Sequence, residues 1–411
     1  MEKLKVGVFF ADSSIECGGT FIYANGLINM LLKDPRVEKL VIFYSKEQLE
    51  YIRKLANTAE KVVLVLVNVR GSKINNVFYK ICNLCDIVSE IFPIRRLENI
   101  LKKVTCWISP YRRIFERAGI DIIHVPSQTA PVYGIKCPVV ITMHDMQELH
   151  YPEFFTAQER VFRAVHYKRS IEQSDLVVVS VEQIKNDVLK YFKVPSSKVH
   201  VCPLPFAEEW FQDSRWTKAE ELRGKYNLFN RFILYPAMTW EHKNHLRLIK
   251  SLYLLKQQGI TVHLVCTGKK TDHYFQIEKE IRNLGLDQQV SFLGLVPEDD
   301  LIGLYKITDL VVIPTLYEAE SQPFFEAMRY EVPVICSNVT SLPESMGQKE
   351  FVFNPYNEQE MAELVRKGIF DAEFRQRNIV NLRQRKLYYQ SIHSADNFLN
   401  AYFYVKSHFA W

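Results

Sequence analysis

The chain has 411 residues, 47% of them hydrophobic and 24% charged, which suffices to bury about two domain cores of ordinary size. No apolar run, Val62 to Val67 among the longest, approaches the ~20 residues a membrane-spanning helix needs, and the N-terminus has no apolar leader. An integral membrane protein is thereby excluded, and a cytosolic one is expected unless a surface patch brings it to the inner face of a membrane. The eight cysteines form no framework and several sit inside strand patterns (Cys202, Cys266, Cys336), as buried thiols of a reducing compartment do. Cys82 and Cys85 form a lone CxxC with no second pair or nearby histidine, so packing explains them better than metal.

Charge divides the chain. Residues 1–205 carry 28 Lys and Arg against 21 Asp and Glu, and residues 206–411 carry 24 against 26. Much of the basic excess lies in residues 61–120, with 11 basic against 4 acidic side chains, where Arg95, Arg96, Lys102, Lys103, Arg112 and Arg113 alternate with Ile, Phe, Leu, Trp107 and Tyr111. Such a helix pair suits an anionic lipid surface; a pair of solvated helix faces over a core stripe is the equal alternative. No recognition motif accompanies the charge, so nucleic acid is not expected as a partner.

Taken in chain order, strand and helix patterns alternate. Leu4 to Phe10 is an apolar run, followed by a Gly-containing loop and a helical pattern from Thr20 to Leu32. Further runs follow at Leu40 to Tyr44, Val62 to Val67, Ile120 to Val125, Val139 to Met143 and Leu176 to Ser180. This order predicts a parallel sheet with helices on both faces. A second cycle begins at Phe232 to Pro236 and continues at Val262 to Cys266, Val290 to Leu293, Leu310 to Pro314, Val332 to Cys336 and Phe351 to Phe353. The fold class is therefore α/β, with two Rossmann-like doubly wound domains facing across a cleft. The boundaries are 1–205 and 206–384, joined near Pro203 and Pro205, and a terminal helical region, 385–411, packs across the junction or back on the first domain.

Ligands of such sheets bind beyond the carboxyl ends of the strands, which singles out four places. Gly18 and Gly19 follow the first strand and permit backbone approach to phosphate, although a plain turn explains them as well. His144 and Asp145 follow Val139 to Met143; a histidine there is as often a satisfied loop residue as a functional one. Trp240, His242, Lys243, Asn244 and His245 follow Phe232 to Pro236, where Lys243 can place a point charge on a diphosphate. The fourth place joins Leu310 to Pro314, a polar turn from Tyr317 to Gln322, and Pro323, read as the first residue of a helix. That reading puts Glu318 on the loop, Glu326 in the first helical turn, and outward N–H groups around Ser321 and Gln322 to attract an anion. Ordinary solvated glutamates are the bland alternative. A glycosidase is not, because its two carboxyls flank one bond and these lie on different elements.

The stretch EAESQPFFEAM (Glu318 to Met328) resembles the E-x7-E signature of the family 4 retaining glycosyltransferases, which have the GT-B fold of two Rossmann-like domains. The likeness extends to GVFFADSSIECGGTFIYANGL at the start, ITMHDMQELHYPEFF from Ile141, YPAMTWEHKNHLRLI from Tyr235 and CSNVTSLPESMG from Cys336, leaving out residues 70–118. It implies that Glu318 holds donor-sugar hydroxyls, Glu326 the ribose hydroxyls and Lys243 the diphosphate. By the same likeness Gly18 and Gly19 let the first domain close on the phosphates, and His144 touches the donor sugar near the reacting carbon. Two departures stand out. Ala319, Glu320 and Ser321 replace the glycine, aromatic and glycine common after the first glutamate, and Met238 occupies a position where many members have arginine. The added carboxylate of Glu320 repels a diphosphate unless it points away, and fewer cations throw diphosphate affinity onto Lys243.

The activity so implied is retaining transfer of a hexose from a GDP- or UDP-linked donor, mannose slightly ahead, to a saccharide or lipid-linked saccharide in surface polysaccharide synthesis. No D-x-D pair follows a strand, and lysine with helix termini can do a cation's work, so neither metal nor other cofactor is expected. A non-catalytic nucleotide-sugar-binding subunit and a sugar-nucleotide epimerase of the same architecture are the alternatives.

Overall fold

A computed structural model describes residues 2–11, 19–49, 52–53, 60–67, 73–92, 94–204, 215–392 and 394–409. The chain divides into two compact units, residues 1–207 with 393–411, and residues 208–392. Each is built on one parallel sheet.

The first sheet has seven strands: β1 (Leu4–Phe9), β2 (Val37–Tyr44), β3 (Val62–Leu66), β4 (Ile122–Val125), β5 (Val139–Thr142), β6 (Leu176–Val179) and β7 (Val199–Val201), in the order β3-β2-β1-β4-β5-β6-β7. The second has six: β8 (Ile233–Pro236), β9 (Leu264–Thr267), β10 (Val290–Phe292), β11 (Leu310–Ile313), β12 (Val334–Ser337) and β13 (Val352–Phe353), in the order β10-β9-β8-β11-β12-β13. Every strand pairing is parallel. Strands such as β4, β5, β6, β11 and β12 are buried along their whole length. Helices cover both faces of a parallel sheet, so its strands become uninterrupted apolar runs. In both sheets the strand order reverses beside the first strand, between β1 and β4 and between β8 and β11, and a crevice for ligand opens at such a point.

Two expectations need correction. The edge strand β7 was not foreseen: it is three residues long, and Pro203 ends the apolar run two residues after it. The second boundary lies after Ile392 rather than after residue 384, because the helix Ala372–Ser391 runs on through it within the second unit. Only the helix Ser394–His408 belongs to the first unit, where Phe398, Leu399, Ala401, Tyr402 and Val405 complete the core around Leu4, Val6, Val8, Leu27 and Leu31. Pro205, expected at the first junction, lies outside the described residues. The seven described cysteines are all free.

Candidate active site

In the second unit the chain leaves β8 through a tight turn, Glu241–Lys243, and enters the helix His245–Gln257 by way of Asn244, whose backbone is left-handed at φ 60°. Asparagine tolerates that conformation better than other residues with a side chain. Its side-chain amide donates to the carbonyls of Pro314, 2.8 Å away just past β11, and Pro355, 3.0 Å away past β13. The backbone N–H of Leu316 donates to the His242 carbonyl at 2.7 Å, and the buried Tyr235 hydroxyl donates to the Lys243 carbonyl at 2.8 Å. The loops after β8 and β11 are thus laced together at the strand-order reversal.

That lacing brings Lys243 and Glu318 into contact, Nζ to Oε2 at 2.7 Å, with 20% and 13% of their side chains exposed. The backbone of Glu318 is held by the loop after β12: its N–H donates to the Thr340 hydroxyl at 3.0 Å, and its carbonyl accepts from the Ser341 hydroxyl at 3.0 Å. Thr340 has a left-handed backbone, φ 51°, a cost accepted where the surrounding structure over-determines it. The two residues expected to grip different parts of one ligand are therefore paired with each other.

The helix start differs from expectation. The helix is Gln322–Arg329, with Ser321 as its cap, so Pro323 is the second helical residue and Glu326 lies in the second turn. The N–H groups of Phe324 and Phe325 are spent on the Ser321 carbonyl at 3.0 and 3.1 Å, and proline has none to give. Fewer donors face outward than the sequence promised. The Ser321 hydroxyl is buried and has no partner among the described residues. Burial pushes the Glu326 carboxyl up to about 6, opposed by the side chains of Tyr305 and Gln322.

The loop after β9, Gly268 to Thr271, was overlooked. A side chain at Gly268, φ 106°, would meet the Ala237 carbonyl carbon at 2.8 Å and the Met238 nitrogen at 2.9 Å, so only glycine lets this loop lie on the one after β8. The Thr239 carbonyl accepts from the Thr271 hydroxyl at 2.7 Å and the Thr239 N–H donates to the Lys269 carbonyl at 3.2 Å. Exposed Lys269 and Lys270 thereby join the same carboxyl edge as Met238. A glycine and two lysines directly after the run Val262 to Cys266 were the signal. Among the described residues no group of three His, Cys, Asp or Glu could hold a metal ion.

In the first unit, Gly19 opens the helix Gly19–Lys33, and a side chain there would meet nothing within 4 Å, so packing does not demand the glycine. Gly18 lies outside the described residues. His144 follows β5, and its Nε2 donates to the Pro126 carbonyl at 3.1 Å just past β4, which leaves Nδ1 as the ring's acceptor. The Tyr23 ring meets it edge-on at 4.8 Å, and burial pushes its pKa down, so the ring is neutral. Asp145 is engaged by Arg163 at 3.0 Å and Gln128 at 3.2 Å. Below lies a buried relay. Thr142 donates to Tyr23 at 3.0 Å, so His124 Nε2 donates to Thr142 at 2.8 Å, and His124 Nδ1 accepts from Tyr402 of the terminal helix.

Comparison with known proteins supplies the lineage. A model described as "Glycosyl transferases group 1" matches residues 218–385, and one described as "Glycosyltransferase Family 4" matches residues 41–209. The serotype-specific mannosyltransferase WbdA of Escherichia coli is 29% identical over 251 residues, which are 59% of this chain and 31% of that protein. The O-antigen chain mannosyltransferase RfbU of Salmonella typhimurium is 22% identical over 76% of this chain and 82% of its own length. The chain thus spans about a third of the length of WbdA but most of RfbU. Among solved structures, Anabaena HepE in complex with UDP superposes with a TM-score of 0.64 at 16% identity, over 98% of this chain and 100% of that one, which speaks to fold alone. With its two Rossmann-like domains, the chain belongs to the family 4-like glycosyltransferases of the GT-B class.

Proposed function

We propose that the protein is a retaining, metal-independent hexosyltransferase that moves a sugar, mannose first among the candidates, from a GDP- or UDP-linked donor to a saccharide or lipid-linked saccharide in surface polysaccharide synthesis. The relatives' names support the mannosyl and polysaccharide parts of this reading, and the UDP held by HepE supports a nucleotide donor. The observation that carries it is the Lys243–Glu318 pair at 2.7 Å on the carboxyl edge of the second sheet, beside the start of the helix Gln322–Arg329. Among the described residues no helix is long and apolar enough to cross a membrane; the reaction is placed at the cytoplasmic side as part of this proposal.

The pair is a ligand-exchange device. A donor diphosphate carries two negative charges and outcompetes one carboxylate for Lys243, which frees Glu318 to accept from the sugar hydroxyls. Glu326, on the same helix, is left for the ribose hydroxyls, and neutral His144 for the donor sugar. The acceptor hydroxyl attacks on the face that the nucleotide leaves and passes its proton to the departing phosphate oxygen. Lys243, the Ser321 hydroxyl and the helix start stabilise the charge that develops there. No cofactor takes part.

The test is a thermal-shift panel of GDP- and UDP-hexoses, followed by transfer with chelator present and analysis of the product anomer. Stabilisation by one donor and a new glycosidic bond of unchanged configuration are expected. Donor binding without turnover would leave the non-catalytic subunit, an isomerised donor the epimerase, and an inverted product would overturn the retaining course.

A further inference from the structure

In the second unit the helix His245–Gln257 packs against both Tyr274–Asn283 and Glu358–Phe370, and a cavity of about 680 Å³ lies where the three meet. Its size suits a small ligand. Tyr253 and Leu254 of the first helix, Leu284 of the second and Tyr356 of the turn before the third line it, and none of them belongs to the Lys243–Glu318 site. Tyr356 is 49% exposed, yet its backbone is tied down. Its N–H donates to the Asn354 side chain at 3.0 Å, the Asn354 N–H donates to the Glu360 carboxylate at 3.2 Å, and the Pro355 carbonyl accepts from Asn244 at 3.0 Å. The Arg247 guanidinium lies over the ring, 5.0 Å from its centre. An exposed aromatic ring on a loop already ordered costs little to engage, which is how a stacking platform differs from a loose surface side chain.

Charge selects the ligand. Lys250 is matched by Glu280 at 3.9 Å and Arg247 by Glu358 at 3.4 Å, so a phosphate finds no surplus cation here. Both pairs are longer than a close charge-assisted hydrogen bond, which leaves their carboxylate oxygens with capacity to accept from hydroxyls. Two tyrosine rings and two leucines offer apolar surface to the C–H face of a sugar ring, and the carboxylates offer acceptors to its edge. We infer that this cavity holds a neutral oligosaccharide, a stretch of the chain under extension lying away from its reacting end. The choice of ligand rests on the transferase reading. Tyr253 stands about 12 Å along the helix from His245, and Asn244 links the Tyr356 loop to the turn that carries Lys243, so cavity and donor pair keep a fixed separation within one unit. A chain held here stays near the donor between transfers, which lowers the KM of long acceptors and leaves that of short ones alone.

Saturation-transfer NMR of α-linked mannotetraose with the full chain tests binding without turnover. Contacts to the sugar ring protons are expected, retained in Tyr356→Phe and Lys243→Ala, and weakened about tenfold or more in Tyr356→Ala and in Glu358→Ala. In transfer assays Tyr356→Ala should raise the KM for the tetraose by a similar factor while kcat, donor affinity and the KM for methyl α-mannoside stay as they were. Circular dichroism checks that each variant keeps the native fold. Absence of contacts, undiminished binding in folded Tyr356→Ala, displacement of the tetraose by GDP-mannose, or equal KM losses for short and long acceptors would each overturn the inference. A protein that binds the tetraose through Tyr356 but transfers nothing would keep the cavity and fail the transferase reading, and an active transferase indifferent to Tyr356→Ala would do the opposite.

Discussion

The two sheets share one topology, yet their carboxyl edges are finished in opposite ways. At the second edge a lysine and a glutamate from loops 75 residues apart are held together, each partly exposed. At the first, a neutral His144 leans on the Pro126 carbonyl over a buried relay from Tyr402 through His124 and Thr142 to Tyr23. One edge keeps a charged pair partly exposed, and the other ties most of its polar groups to buried partners. A shared fold supplies the location, and the side chains set what each edge can offer.

The sharpest way to break that contrast is at Glu318. Glu318→Gln keeps the size and the backbone bonds to Thr340 and Ser341 but removes the charge, and turnover should fall on the order of 100- to 1000-fold while nucleotide affinity holds or rises, because the diphosphate no longer competes with a carboxylate for Lys243. Equal losses in both would remove Glu318 from the sugar side. Lys243→Ala should do the reverse: donor affinity falls about 10- to 100-fold, because the diphosphate loses a charge-assisted partner. Isothermal titration with the donor nucleotide measures it, and an unchanged affinity would hand the phosphates to Lys269 and Lys270.

The first edge responds in stability instead. Tyr402→Phe leaves the His124 Nδ1 lone pair buried without a donor, at a cost of about 1–3 kcal/mol in denaturant unfolding, with transfer kinetics unchanged. A loss of activity without a loss of stability would mean that the relay serves the reaction.

Acid should test both units together. Burial holds His124, His242 and His245 near a pKa of about 3, below the ordinary 6.5. The unfolded chain takes up protons below about pH 6.5 and the folded one does not, so stability is complete above that value and drains as pH falls, by at most ~1.4 kcal/mol per pH unit per group. Glu326 acts in the opposite sense: its pKa is raised from 4.5 to about 6, so it withdraws stability as pH rises through that window. Three imidazoles outweigh one carboxyl. Denaturant melts should show a steady decline on acidification, and a rise would contradict the burial of those rings.

The sheets could be read from the residues because strands buried on both faces leave unbroken apolar runs. The three-residue β7, with His200 at its centre, leaves too little. Glu318 and Lys243 were each legible as residues just past strands, but their contact was not. It depends on β8 lying beside β11, and strand order is set by packing rather than by any local pattern. The position of Glu326 was misjudged because proline suits the first helical residue, whereas here Ser321 caps the helix and Gln322 begins it. Basic residues interleaved with apolar ones likewise pointed to a helix pair within residues 61–120, but which face is covered depends on Asp86 finding Arg169, 83 residues away.

The smallest effect probes the contrast most finely. Ser321 is 1% exposed and its hydroxyl has no partner among the described residues, an uncommon state for a buried polar group. Were the hydroxyl a packing accident, Ser321→Ala would remove an unsatisfied group and leave stability unchanged or slightly raised, with donor affinity untouched. If it is held for the donor, as the second edge's open design implies, the same change stabilises the ligand-free protein yet weakens donor binding about three- to tenfold, the worth of one neutral hydrogen bond. The two measurements must move in opposite directions. That divergence separates a site that waits for its ligand from one that, like His124, has already found its partners.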